Sequence, residues 1–171
     1  MNQLRLDRLL FVPAFVPPHK PGAALASVRD RVSMLRIALR GKPRWSISMD
    51  EIRREGISYT VDSVRTIRSR NPAAAIYLIV GSDNAAQFKT WKDYREILRE
   101  ARLAVYRRTG RIGSWRAGAI ARRSRILKGA KISISSTGLR RRIFLRRPIS
   151  ALVPNGVDRY IQKRKLYRKS R

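Results

Sequence analysis

Ile76-Tyr77-Leu78-Ile79-Val80-Gly81-Ser82-Asp83 is the stretch that decides the fold. Five apolar, β-prone residues stopped by a glycine predict the cleanest strand in the chain. Upstream, Leu9-Leu10-Phe11-Val12 ended by Pro13 predicts a second buried strand. Between them, Val28, Val32, Leu35 and Leu39 fall on one helical face, which Gly41 and Pro43 stop. Trp45, Ile47 and Met49 alternate with polar residues as in a half-buried strand, and Val61, Val64 and Ile67 predict a helix ending near Asn71-Pro72.

Downstream, 83–100 predicts one or two helices, Leu103-Ala104-Val105-Tyr106 a strand, and 107–118 an Arg/Gly-rich loop. Ile132-Ser133-Ile134-Ser135 reads as a strand running into a helix capped by Ser136-Thr137. A last helix carries Val157, Tyr160 and Ile161 after Pro154. Strands alternating with helices predict an α/β fold with a doubly wound parallel sheet, in a single domain spanning 1–171. Ligands in such folds sit at the carboxyl ends of the strands.

Three strand-end loops therefore matter. Pro17-Pro18-His19-Lys20 holds a cation on a stiff backbone, so an anion is bound with little ordering cost. Gly81-Ser82-Asp83 combines close backbone approach with a carboxylate that accepts from ribose hydroxyls or amides. Ser136-Thr137-Gly138-Leu139-Arg140 places hydroxyls and free amides at a helix start, with a charged fork one turn in. Each alone is commonly a turn or a cap. Together they point to a nucleotide.

Composition excludes several alternatives. The 171 residues contain no cysteine and one histidine, so disulfides, a thiolate or multi-histidine metal site and a cysteine nucleophile are ruled out. The net charge is +29, and residues 107–171 hold 21 Lys/Arg against Asp158 alone. Such a field attracts polyanions; it is also compatible with a plain solvated face. Residues 5–26 loosely imitate a signal peptide, but Asp7 and the prolines at 17, 18 and 21 argue against it. A cytoplasmic address is expected.

The same residues resemble the bacterial nicotinate-nucleotide adenylyltransferases, of the nucleotidyltransferase-type Rossmann superfamily. The resemblance rests on LDRLLFVP at 6–13, PPHK at 17–20, Arg31 with Met34-Leu35, and EIRREGISYTVD at 51–62. It continues through IYLIVGSD at 76–83, Trp91, ISST at 134–137 with Arg140, and Leu152-Val153-Pro154 onward to Leu166-Tyr167. It implies adenylyl transfer from Mg²⁺-bound ATP to nicotinate mononucleotide, giving deamido-NAD and pyrophosphate, a step of NAD biosynthesis. His19, Lys20, Ser136 and Arg140 would then serve the substrates' phosphates. Trp91 would stack on the pyridine ring, Thr60 would help select nicotinate, and Gly81 and Asp83 would line the nucleotide crevice.

One departure stands out. The family begins with a strand and a GGTFDPxHxGH loop whose histidines bind ATP, and this sequence contains no such motif. No catalytic residue or metal ligand is assigned. About 25 residues, a strand and most of a helix, would be missing, through a late start assignment or gene decay. The expectation is an N-terminally truncated fold with exposed apolar surface, binding nucleotides poorly and catalysing little. The rival readings are a catalytically dead remnant, a sister adenylyltransferase for pantetheine phosphate or the amidated nucleotide, and a basic nucleic-acid-binding protein.

Overall fold

The computed structural model describes residues 2–18, 26–108, 119–122, 124–132 and 134–168. The chain runs β1 (Leu9–Phe11), α1 (Val28–Leu39), β2 (Trp45–Ile47), α2 (Asp50–Arg54) and α3 (Thr60–Arg70). It continues as β3 (Tyr77–Gly81), α4 (Ser82–Ala86), α5 (Tyr94–Glu100), β4 (Arg102–Arg108) and α6 (Ala119–Arg122). Last come β5 (Arg125–Ile132), α7 (Ser136–Phe144) and α8 (Asn155–Lys163). All pairings between these strands are parallel, β1 with β2 in one sheet and β3–β4–β5 in another. The parallel α/β architecture read from the sequence is therefore present. The chain forms two compact units, one of Met1–Ile57 with Ile134–Arg171, the other Ser58–Ser133.

In the first unit Leu9 lies opposite Trp45 and Phe11 opposite Ile47. Ser27 caps α1, its hydroxyl accepting from the amide of Asp30 at 3.0 Å. Gly41, at φ +75°, turns the chain away just past the helix end. The core of this unit joins α1 to α8: Ile149, Val157 and Ile161 are buried against Met34, Ile37, Leu139 and Ile143. Gly156 makes that approach possible, since a Cβ there would stand 2.7 Å from Cγ2 of Ile37.

In the second unit Val61, Val64, Val80, Phe88, Ile97, Leu103 and Val105 form the buried core. Burying such side chains contributes roughly 1.5–3 kcal/mol each. Two ion pairs tie α3 to α5, Arg65 with Glu96 and Arg68 with Glu100. β1 and β3 each end their sheet, and Leu10 and Ile79 on them are 39% exposed. Among the described residues no helix is long and apolar enough to cross a membrane.

Several sequence expectations need correction. The late strand is β5, over Arg125–Ile132, so of the described residues in the predicted 132–135 strand only Ile132 belongs to it. Its Lys128, Gly129 and Lys131 hide the apolar alternation, as befits a strand with one open edge. The α7 cap is Ser135, one residue earlier than expected, its hydroxyl accepting from the amide of Gly138 at 3.0 Å. The short α2 has no counterpart in the sequence reading, and most of the 107–118 loop lies outside the described residues.

Candidate active site

Within the first unit, Arg31 organises the loop that follows β1. Its guanidinium donates to the carbonyls of Ala14 at 2.6 Å and Phe15 at 3.1 Å, and its Nε to that of Ala26 at 3.3 Å. One side chain of α1 thus grips both necks of the segment that carries Pro17 and Pro18. His19 and Lys20 lie outside the described residues.

Tyr167 stands beside this clasp. Its phenol hydrogen-bonds the backbone of Ala26 and feels the charges of Arg140 and Arg31. Burial pushes its hydroxyl above the usual tyrosine range, outweighing the Ala26 hydrogen bond and the two cations. Ala26 therefore lies against this phenol.

Ser136 opens α7, immediately after its cap. With Ser135 taking the amide of Gly138, no described protein group accepts from the amides of Ser136 and Thr137. Those amides and the helix dipole form an anion-accepting end. Half-buried Arg140 is the fork one turn in, its Nη2 donating to Thr137 Oγ1 at 3.3 Å.

The second unit holds the other expected residues. Gly81 closes β3 with φ −73° and ψ 157°, a backbone open to any residue, so the turn itself does not require glycine. Ser82 starts α4 and Asp83 is exposed in its first turn. Thr60 is the first residue of α3. The Nζ of Lys92 sits 4.4 Å over the ring of Tyr59, so the segments holding Thr60 and Trp91 meet. Trp91 packs on buried Phe88, ring centroids 5.1 Å apart, and stays half-buried. That contact makes Trp91 an anchor within this unit.

The sequence reading missed two participants. Arg31 entered it only as part of a matching stretch, and the hydrogen bonds that give it a task span 16 and 17 residues. Asp30 was overlooked altogether. Its signal was local: Ser27 and Asp30 have the reciprocal spacing of a helix-start box. Among the described residues no group of His, Cys, Asp and Glu could hold a metal ion.

A family model described as cytidylyltransferase-like matches residues 1–142. A Frankia casuarinae protein named "Probable nicotinate-nucleotide adenylyltransferase" is 36% identical, over 95% of this chain and 85% of its own length. A Streptomyces coelicolor protein of the same name is 37% identical, over 97% of this chain and 88% of its own. Among solved structures, the Plasmodium falciparum nicotinic acid mononucleotide adenylyltransferase complexed with NaAD superposes with a TM-score of 0.75. It is 17% identical and covers 95% of this chain and 83% of that one, a likeness of fold.

Proposed function

The chain belongs to the cytidylyltransferase-like family and, within it, to the nicotinate-nucleotide adenylyltransferases, and from that membership we propose its reaction. A phosphate oxygen of nicotinate mononucleotide attacks the α-phosphorus of ATP. The bond from that phosphorus to the β-phosphate bridging oxygen breaks, leaving deamido-NAD and pyrophosphate. The observation that carries this reading is the likeness at 37% identity over 97% of the chain. The Gly81–Asp83 turn at the carboxyl end of a parallel strand supports it.

Such phosphoryl-group chemistry is governed by positioning and neutralisation of charge. Ser136, at the open amides of α7, and Arg140 receive phosphate oxygens, with His19 and Lys20 adding to the anion contacts. Trp91 offers its ring to the pyridine and Thr60 discriminates for the nicotinate carboxylate. Gly81 permits close approach of the nucleotide, and Asp83 accepts from ribose hydroxyls. Mg²⁺ enters bound to the phosphates of ATP, as part of the substrate. The chain works as one nucleotidyltransferase domain with a cytoplasmic address, where ATP is plentiful. Its basic C-terminal third adds a non-specific attraction for polyanions.

With His19 as the only histidine, these residues bind and orient, and turnover by the 171-residue chain is expected to be slow. Titration calorimetry with nicotinate mononucleotide and a non-hydrolysable ATP analogue, beside chromatographic detection of deamido-NAD, tests the proposal. Weak, saturable binding of both ligands with slow product formation supports it. Binding of neither, or product with CTP in preference to ATP, overturns it.

A further inference from the structure

A second constellation in the first unit takes no part in this chemistry. Between the C-terminal half of α1 and β2 lies a hollow of about 420 Å³ lined by Arg36, Leu39, Arg40, Trp45, Ser46 and Ile47. A second of about 200 Å³ adjoins it over Lys42, Pro43, Arg44 and the same Trp45. Because β1 and β2 run parallel with Leu9 opposite Trp45, Trp45 marks the amino end of the sheet. The loop carrying Pro17 and Pro18 leaves the opposite, carboxyl end.

The hollows are strongly cationic. Arg36 in the last turn of α1 and Arg40 at its C-cap are both exposed. Among the described residues no carboxylate pairs with Arg36, Arg40, Lys42 or Arg44. The Nζ of Lys42 stands 4.6 Å from the Trp45 ring centroid, and Phe11 packs on Trp45 at 5.5 Å, fixing the indole between the two hollows.

From this arrangement we propose that the α1–β2 face binds single-stranded nucleic acid, with successive nucleotides on either side of Trp45 and phosphates on Arg36, Arg40 and Arg44. Cations repeating along a groove with an interposed aromatic suit a polymer that repeats phosphate and base. A mononucleotide would fill one hollow only. A membrane surface needs a continuous apolar face, and here Leu39, Trp45 and Ile47 are all half-buried. The net charge of +29 supplies the long-range attraction, and the groove supplies its docking place.

The test is fluorescence anisotropy of the full chain with a labelled single-stranded oligonucleotide of about twelve nucleotides, across a range of salt. R36E/R40E is compared with R141E/R147E on and just after α7, both checked for folding by thermal melting. The expected result is affinity reduced about tenfold or more in R36E/R40E, with a salt slope shallower by roughly 1.4. R141E/R147E is expected to lose less than R36E/R40E. Photocrosslinking with 4-thiouridine oligonucleotides is expected to label the peptide containing Trp45. Equal binding by R36E/R40E and wild type, or crosslinks confined to 107–171, overturns the proposal. So does displacement by AMP, polyglutamate or phosphatidylglycerol vesicles as effective as by unlabelled oligonucleotide at matched charge.

Discussion

The hydroxyl of Tyr160 on α8 donates a 2.9 Å hydrogen bond to the carboxylate of Asp30 on α1, across 130 residues of sequence. Asp30 is 5% exposed and also accepts from Ser27 Oγ at 2.7 Å and Arg164 Nε at 3.3 Å. A buried carboxylate is tolerated because its oxygens are this well served. Asp30→Ala leaves three donors without their acceptor, and an expected loss of about 2–4 kcal/mol follows, read as a lowered urea midpoint. Tyr160→Phe costs about 1 kcal/mol.

The same carboxylate confers an acid dependence. The Ser27 hydroxyl, and then Tyr160 and Arg164, hold Asp30 below the usual carboxylate range, against the opposing effect of burial. A carboxyl lowered in the folded state stabilises fully above its unfolded value of about 3.9 and loses that contribution as pH falls toward the native value. Urea titrations at about pH 6 and pH 3 are expected to show the gap between wild type and Asp30→Asn narrowing in acid. A gap that widens contradicts the assignment.

Gly156→Ala tests how closely α1 and α8 approach. The added methyl meets Ile37 Cγ2 at 2.7 Å, and overpacking of this kind costs about 1–3 kcal/mol. Ile37→Leu moves the branch off the β-carbon, so the double variant is expected to lose less than the two single losses together, measured by thermal melting.

Arg68 holds the far end of the second unit. It donates to the Glu100 carboxylate at 3.1 Å, the Glu100 carbonyl at 2.7 Å, and the carbonyls of Pro72 at 3.0 Å and Ala74 at 2.8 Å. Arg68→Lys keeps the charge and loses the planar fork. Its expected cost is about 1–2 kcal/mol, with faster amide exchange at Ala101 and Arg102, which follow α5.

Under the proposed reaction, Trp91→Leu raises KM for nicotinate mononucleotide about tenfold with a smaller change in kcat, since a stacking surface is lost. Arg140→Ala raises KM for ATP in the same manner, leaving that for the mononucleotide closer to wild type. Steady-state kinetics with each substrate varied in turn separate the two.

Much of the architecture was legible because apolar periodicity is a local property. The Val28-to-Leu39 stripe became α1, and the run ending at Gly81 became β3. β5 escaped because lysines and a glycine interrupt it; what defines it is pairing to β4, with Gly129 making room for the ring of Tyr106. In the site, Ser136 and Gly81 could be placed because they stand at element ends, which sequence marks well. The roles of Arg31, Tyr160 and Tyr167 could not, since each depends on partners brought near only by folding.

The grip of Arg31 on Ala14, Phe15 and Ala26 separates anchorage from reach. Ala14 and Phe15 on one side and Ala26 on the other are held to α1 through one side chain, so losing that side chain releases both attachments at once.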